Sequence, residues 1–287
     1  MYPPVDPVLI QIGPLSVRWY GLLVIGAVIL GAWIASKYVA RKGEDANHVW
    51  DGLLWVLIPA LVGARLYYVF IQSPRGPDGF DRYMTNPLEI LNIGAGGLHI
   101  FGGFLFGAAA VWIYARRHKL PILVYLDGVA LALPLSQAVA RWANFINQEL
   151  YGPPTTLPWG LRIDPEHRIP PYNDLTVYPE SVRFHPLFLY ESIWNFIGFG
   201  VLWLVARRFA SRLRDGDLLL LYMIWYPSGR FLIEFLRTDS WFFPGTPFNV
   251  VHVLSAAVVI ASAALFITRH RIAKPAEAPP SPSSTTL

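Results

Sequence analysis

Apolar residues along this chain fall into seven long runs separated by polar stretches, roughly 17–37, 50–71, 93–115, 122–146, 187–206, 217–236 and 248–268. Each run is near the ~20 residues that cross a bilayer. Each is predicted to be a helix, because a lone segment in lipid must satisfy its own backbone hydrogen bonds. Pro59 and Pro134 lie inside runs, and the Gly-rich stretch GAGGLHIFGGFLFG opens the third. Such breaks are tolerated where neighbouring helices or a cavity take up the freed backbone groups. The pattern predicts an all-α polytopic membrane protein of about seven transmembrane helices. Its longest polar connection, about 149–185, is rich in Pro and aromatic residues. It reads as a small ordered extracytoplasmic head with a few short strands. Residues 1–270 then form one integral membrane domain, and 271–287, Pro- and Ser-rich, a disordered cytoplasmic tail.

Charge orients this layout. Lys37, Arg41 and Lys42 follow the first run. Arg116, Arg117 and Lys119 follow the third, and Arg207, Arg208, Arg212 and Arg214 the fifth. Arg269, Arg271 and Lys274 follow the seventh. More than half of the 23 Lys and Arg residues therefore sit on connections of one side. The positive-inside rule makes that side cytoplasmic, with the N-terminus outside and the C-terminus inside. Composition agrees: 54% of the 287 residues are hydrophobic and only 15% charged, against about 25% charged in soluble domains. The start, MYPPVDPVLIQIG, lacks a basic segment before a short apolar core, so no cleaved signal peptide is expected. There is no cysteine, which excludes disulfides, thiolate metal sites and a cysteine nucleophile of the protein's own. The net charge of +4 does not point to nucleic acid.

The candidate chemistry lies in polar groups near the ends of apolar runs. Arg75, Arg82, Arg162, Arg168 and Arg183 are in outer loops, where solvation suffices. Arg18, Arg65, Arg141, Arg230 and Arg237 lie in or at the ends of apolar runs. There an arginine costs about 2.5–3.5 kcal/mol on insertion scales and commonly marks a site. Arg18 and Arg65 are equally well read as snorkelling to the interface. In GRFLIEFLRTD, Arg230, Glu234 and Arg237 share one helical face with one net positive charge. In VARWANFINQELYG, Arg141, Asn144 and Gln148 share a face that has no acid, while Asn147 and Glu149 point elsewhere. The plainer reading of the first set is a ladder that only neutralises itself. Two arginine helices near the outer surface suit an oxyanion, because guanidinium binds oxyanions bidentately. At this depth a phospholipid headgroup is the natural candidate. Glu191 and Asp127 are expected to partner the unpaired arginines, and His185 to be a cap or surface residue.

The stretch ARWANFINQELYG is similar to the signature Gly-Arg-x-x-Asn-Phe-x-Asn-x-Glu-x-x-Gly of the prolipoprotein diacylglyceryl transferase family. Arg141, Asn144, Phe145, Asn147, Glu149 and Gly152 fit it, with Ala140 replacing the leading Gly. RWYGL with Tyr20, ARLYYV with Arg65, GGLHIFGG, HPLFLYES and GRFLIEFLR follow in family order. The resemblance covers the whole chain before the tail.

The resemblance implies a multi-pass transferase of the bacterial cytoplasmic (inner) membrane. It implies that the diacylglyceryl group of phosphatidylglycerol moves to the thiol of the lipobox cysteine in a prolipoprotein signal peptide, with no metal or cofactor. A thioether forms and glycerol phosphate leaves. Arg141 and Arg230 would hold the phosphate, Glu234 would hold the arginines, and Arg237 would join them. Asn144, Glu149 and Tyr20 would position the headgroup or substrate, together with Gly102 and Gly103. Many members carry His-Gly-Gly in the third segment, the histidine serving as a proposed base for the thiol. Here Phe101 precedes Gly102 and Gly103, and His99 lies two residues earlier, about 200° away around a helix. Either His99 takes the proton, or an electropositive site ionises a thiol of ordinary pKa about 8.5. The competing class is a lipid or anion transporter using intramembrane arginines, which would favour internal repeats that this chain does not show.

Overall fold

The computed structural model describes residues 1–13, 15–74, 79–92 and 96–271. The expected tail beyond residue 271, with Lys274, and the loop residue Arg75 lie outside that set. Eight α-helices are described: α1 (Trp19–Arg41), α2 (Asn47–Tyr67), α3 (Phe80–Thr85), α4 (Ile100–Arg117), α5 (Ile122–Ile146), α6 (Leu187–Arg208), α7 (Asp217–Glu234) and α8 (Val250–Arg271). Every apolar run carries one of the seven long ones. Five segments are long and apolar enough to cross a membrane: α1, α2 with its continuation to Gln72, α5, α6 and α8. The other two long helices are less apolar. α4 ends in Arg116 and Arg117, and α7 holds Asp217, Arg230 and Glu234. Ile25, Leu54, Ile58, Phe104 and Ile260 are each more than half exposed on helix surfaces. Outward apolar faces of this extent are what a lipid solvent selects.

The third run starts its helix later than expected. Gly96 and Gly97 have φ of +83° and +72°, a region open to glycine and strained for other residues. The chain is therefore irregular through residue 99, and α4 begins at Ile100. Its Gly102 sits where an added Cβ would come within 2.1 Å of the Gly63 carbonyl oxygen on α2. The pair α2–α4 thus crosses backbone to backbone, as small residues permit in membranes. Elsewhere α1 packs on α5, α5 on α6, and α7 on α8. Ile34, Ala35 and Tyr38 of α1 meet Ala130, Leu131 and Ala132 of α5, with Leu202, Leu218 and Tyr222 completing that core.

Asp127 does not partner an arginine. From α5 it accepts the backbone N–H groups of Gly216 and Leu219 at 2.7 and 2.9 Å. It caps the start of α7, where unpaired N–H groups and the helix dipole favour a carboxylate.

Among the described residues the strands form two antiparallel pairs. β1 (Val8–Ile12) pairs with β2 (Leu15–Arg18), with Ile10 opposite Val17. β3 (Pro154–Thr155) pairs with β4 (Arg183–Phe184) in the segment between α5 and α6. The C-terminal end of α5 and the start of α6 share one core with that segment: Phe145, Ile146, Tyr151, Leu161, Ile163, Phe184 and Phe188. Arg168 is no solvated loop residue. It is 5% exposed and donates to the carbonyls of Ile163, Tyr178, Pro179 and Glu180 at 2.7–3.3 Å. A turn-rich segment has few internal ladder bonds, and a buried fork of donors supplies partners for its carbonyls.

Candidate active site

Glu191, near the start of α6 and 5% exposed, is the hub. Arg141 of α5 forms an ion pair with its Oε2 through Nε. Arg230 Nη1 and Arg237 Nη1 lie 4.0 and 3.9 Å from its Oε1. Arg230 Nη2 also meets Glu234 Oε2 at 2.7 Å across one helical turn. Glu234, 2% exposed, accepts from Ser240 Oγ at 2.8 Å and from Asn249 Nδ2 at 3.0 Å on its other oxygen. Four elements thus converge: α5 brings Arg141, α6 Glu191, α7 Arg230 and Glu234, and the start of α8 Asn249.

Three expectations about faces are corrected. α7 ends at Glu234, so Arg237 is not on its face. Arg237 follows the helix in a turn and donates Nε to Asp239 Oδ1 at 2.8 Å, with Nη2 on Oδ2. The three arginines therefore meet three carboxylates, Glu191, Glu234 and Asp239, and the expected surplus positive charge is absent. Burial opposes the charge of Arg237, but Asp239, Glu191 and Glu234 outweigh it and raise its pKa above the ordinary guanidinium value. Burial likewise pushes Asp239 up, and its bond and attraction to Arg237 more than reverse this, leaving its carboxyl below the usual range.

α5 ends at Ile146, and Gln148 and Leu150 have φ of +52° and +54°. The chain therefore turns away before Gln148. Gln148 faces the segment between α5 and α6, donating to Asp164 Oδ2 at 2.7 Å and accepting the Asp164 N–H at 2.8 Å. The same turn brings Glu149 back: its Oε1 accepts from Asn144 Nδ2 at 2.7 Å, while Asn144 Oδ1 accepts from Arg141 Nη1 at 3.3 Å. Glu149 is thus linked to Arg141 through Asn144. Arg141 has its acidic partner on another helix, Glu191, as expected of that residue.

Charge balance does not exhaust the donors. A guanidinium carries more N–H groups than one carboxylate accepts. Arg230 Nη1 is buried and has no hydrogen-bond partner among the described residues. The side chains of Arg141 and Arg230 are 23% and 20% exposed. Held from behind by Glu191 and Glu234, these two guanidiniums are pre-oriented donors for an oxyanion.

Other predicted site residues are elsewhere. His99 precedes α4 and caps it, its Nδ1 accepting the Phe101 N–H at 3.4 Å. Its ring stacks on Tyr67 at 4.8 Å. Gly102 and Gly103 face α2, toward Gly63 and Ala60, so their contacts in this structure are those of helix packing. Tyr20 is exposed at the start of α1, with no hydrogen bond from its hydroxyl among the described residues. Arg65 does not snorkel. It is 5% exposed and donates to the carbonyls of Glu89, Ile90, Gly96 and Gly97 at 2.7–3.0 Å. It braces the loop that leads to His99.

Sequence reasoning missed Asp239, Ser240 and Asn249. Asn249 carried a signal: an Asn before an apolar run marks a helix start. Its Oδ1 does accept the Val251 and His252 N–H groups. That signal finds the cap, and only the fold shows its amide on Glu234.

These features define a class: a helical membrane protein in which buried carboxylates hold arginines from separate helices together. The sequence profile of the prolipoprotein diacylglyceryl transferase family matches residues 7–268. A Chloroflexus aggregans protein named phosphatidylglycerol–prolipoprotein diacylglyceryl transferase is 41% identical over 94% of this chain and 92% of its own length. Proteins of the same name from Synechococcus elongatus and Symbiobacterium thermophilum are 43% and 41% identical. They cover 82% and 89% of this chain, and 78% and 90% of their own lengths. The chain belongs to the prolipoprotein diacylglyceryl transferase family.

Proposed function

We propose that this protein transfers the diacylglyceryl group of phosphatidylglycerol to the thiol of a lipobox cysteine in a prolipoprotein signal peptide. The observation that carries the reading is the convergence of Arg141, Arg230 and Arg237 on Glu191. The glyceryl carbon bonded to the phosphate oxygen is attacked by sulfur. A C–S bond forms and the C–O bond breaks, its electron pair leaving on the phosphate. The phosphate thereby gains negative charge in the transition state, and fixed guanidiniums aimed at it stabilise that charge. Arg141 and Arg230 are assigned to the phosphate, and Glu234 and Asn144 to holding them. Glu191 is added to the holding group, and Arg237 to the same network. Glu149 acts through Asn144.

All seven long helices cross the bacterial cytoplasmic membrane in this reading, with the head outside and the basic connections in the cytoplasm. The grouping of basic residues on alternate connections supports that orientation. The site then lies at the outer surface, where a secreted precursor presents its cysteine. The transporter reading gains no support from relatives named as transferases.

The test is purified protein with phosphatidylglycerol and a lipobox peptide. Peptide-dependent release of glycerol phosphate is expected, and its absence removes the reading. Arg141→Ala and Arg230→Ala are each expected to abolish release while the protein remains folded.

A further inference from the structure

We propose that His185 is the proton acceptor for the substrate thiol, an assignment that rests on the transferase reading. His99, the histidine nearest the family's position, spends its Nδ1 lone pair on the Phe101 N–H and stacks on Tyr67. It sits on the α2–α4 pair rather than among the arginines.

His185 lies beside the segment that carries Arg237. Its carbonyl accepts the Gly152 N–H at 2.9 Å, and its N–H donates to the Pro153 carbonyl at 3.0 Å. A Cβ built on Gly152 would lie 2.9 Å from both His185 Cβ and the Leu236 carbonyl oxygen. Gly152 therefore lets three segments meet: the end of the ARWANFINQELYG stretch, the residue before α6 and its Pro186, and the residue before Arg237. Any larger residue would separate them.

The ring is held as a base requires. His185 Nδ1 lies 3.1 Å from Tyr190 Oη, which also receives the Trp159 indole N–H at 3.2 Å. A phenol oxygen has lone pairs for both donors. With Nδ1–H on Tyr190, the free lone pair is on Nε2, which has no partner among the described residues. The side chain is half-buried, so Nε2 is reachable. The charged residues next in chain to its contacts are Arg237 after Leu236, Glu191 after Tyr190, Arg183 two residues before it, and Glu149 three before Gly152.

The step balances. Nε2 takes the S–H proton as sulfur bonds to the glyceryl carbon, and the C–O electron pair leaves on phosphate. The imidazolium then returns its proton to the released glycerol phosphate or to water. Imidazole is the side chain most often used as a general base.

The test uses the full-length protein with phosphatidylglycerol and the peptide, wild type first. If wild type releases no peptide-dependent glycerol phosphate, the transferase reading fails, not this assignment alone. Given wild-type turnover, His185→Gln is expected to lower kcat about 100-fold or more, with KM for the lipid within about twofold. Its rate should climb above pH ~8.5, where the thiol ionises unaided. A peptide carrying selenocysteine, already ionised at neutral pH, should restore turnover. Tyr190→Phe should show a smaller loss, about tenfold, with the same repair, and it keeps the question open to measurement if His185→Gln does not fold. His99→Ala should retain activity. A kcat for His185→Gln within about threefold of wild type overturns the assignment. So does a loss that is equal at every pH and unrepaired by the selenol.

Discussion

Glu191→Gln changes one charge and almost no volume, and its consequences can be worked from the contacts. The carboxylate is 6% exposed and faces Arg141, Arg230 and Arg237. Removing one partner of a buried pair typically costs about 3–5 kcal/mol, because the remaining charge is left uncompensated. Arg141 is 23% exposed and Arg230 is 20% exposed, so water screens part of that, and about 2–3 kcal/mol is the reasonable size. At about 1.4 kcal/mol per decade, the aligned arrangement of arginines becomes roughly 30- to 150-fold scarcer. Turnover should fall by a similar factor, and thermal unfolding followed by tryptophan fluorescence should move down by several degrees. Phosphate oxygens supply the missing negative charge, so phosphatidylglycerol should recover more of the melting temperature in the variant than in wild type. A neutral lipid should not. If turnover and melting temperature are both unchanged, or if both lipids act alike, Glu191 does not organise an anion site.

Three further outcomes are expected. Gly102→Ala places a methyl 2.1 Å from the Gly63 carbonyl and 2.4 Å from Tyr67 Cβ. Overpacking of this kind costs about 1–3 kcal/mol or more. The melting temperature should fall while the affinity of the folded fraction for phosphatidylglycerol stays the same; a selective loss of lipid affinity would mean that Gly102 touches substrate. Arg168→Lys keeps the charge but cannot span four carbonyls, so the segment 149–185 should become open to limited proteolysis, and protection equal to wild type would refute its bracing role. For Asp164, burial pushes the carboxyl up, but bonds from Gln148 and Tyr2 and the charge of Arg162 outweigh it, so its pKa is lowered. A depressed carboxyl stabilises the head above its unfolded value of about 3.9, and that contribution is lost as pH falls through the lower folded value. Proteolysis of the head should therefore rise in acid below the ordinary carboxylate range, and Asp164→Asn should remove that pH-dependent rise.

Much of this protein was written in one dimension. Each of the seven apolar runs carries a long helix, as expected of apolar segments that must bond their own backbone. The residue types of the site were legible as well: Arg141, Arg230 and Glu234 stand out as charges where charge is costly, and Glu191 could be named as a partner for the same reason. Helical periodicity then misled wherever a helix stopped. It put Arg237 on the α7 face and Gln148 on the α5 face, though both lie past the last turn. It sent Glu149 away, though a left-handed turn returns it to Asn144. Periodicity describes a side chain's direction only while the backbone stays regular. Arg168 and Arg65 looked like loop or interface charges, since nothing local shows which distant carbonyls need donors. The tertiary structure alone decided that Glu191 gathers three arginines from two other segments, that Asp127 caps α7 instead, and that Gly152 brings His185 against Leu236. Those are meetings between positions tens of residues apart, and they depend on how helices pack, which no local pattern encodes.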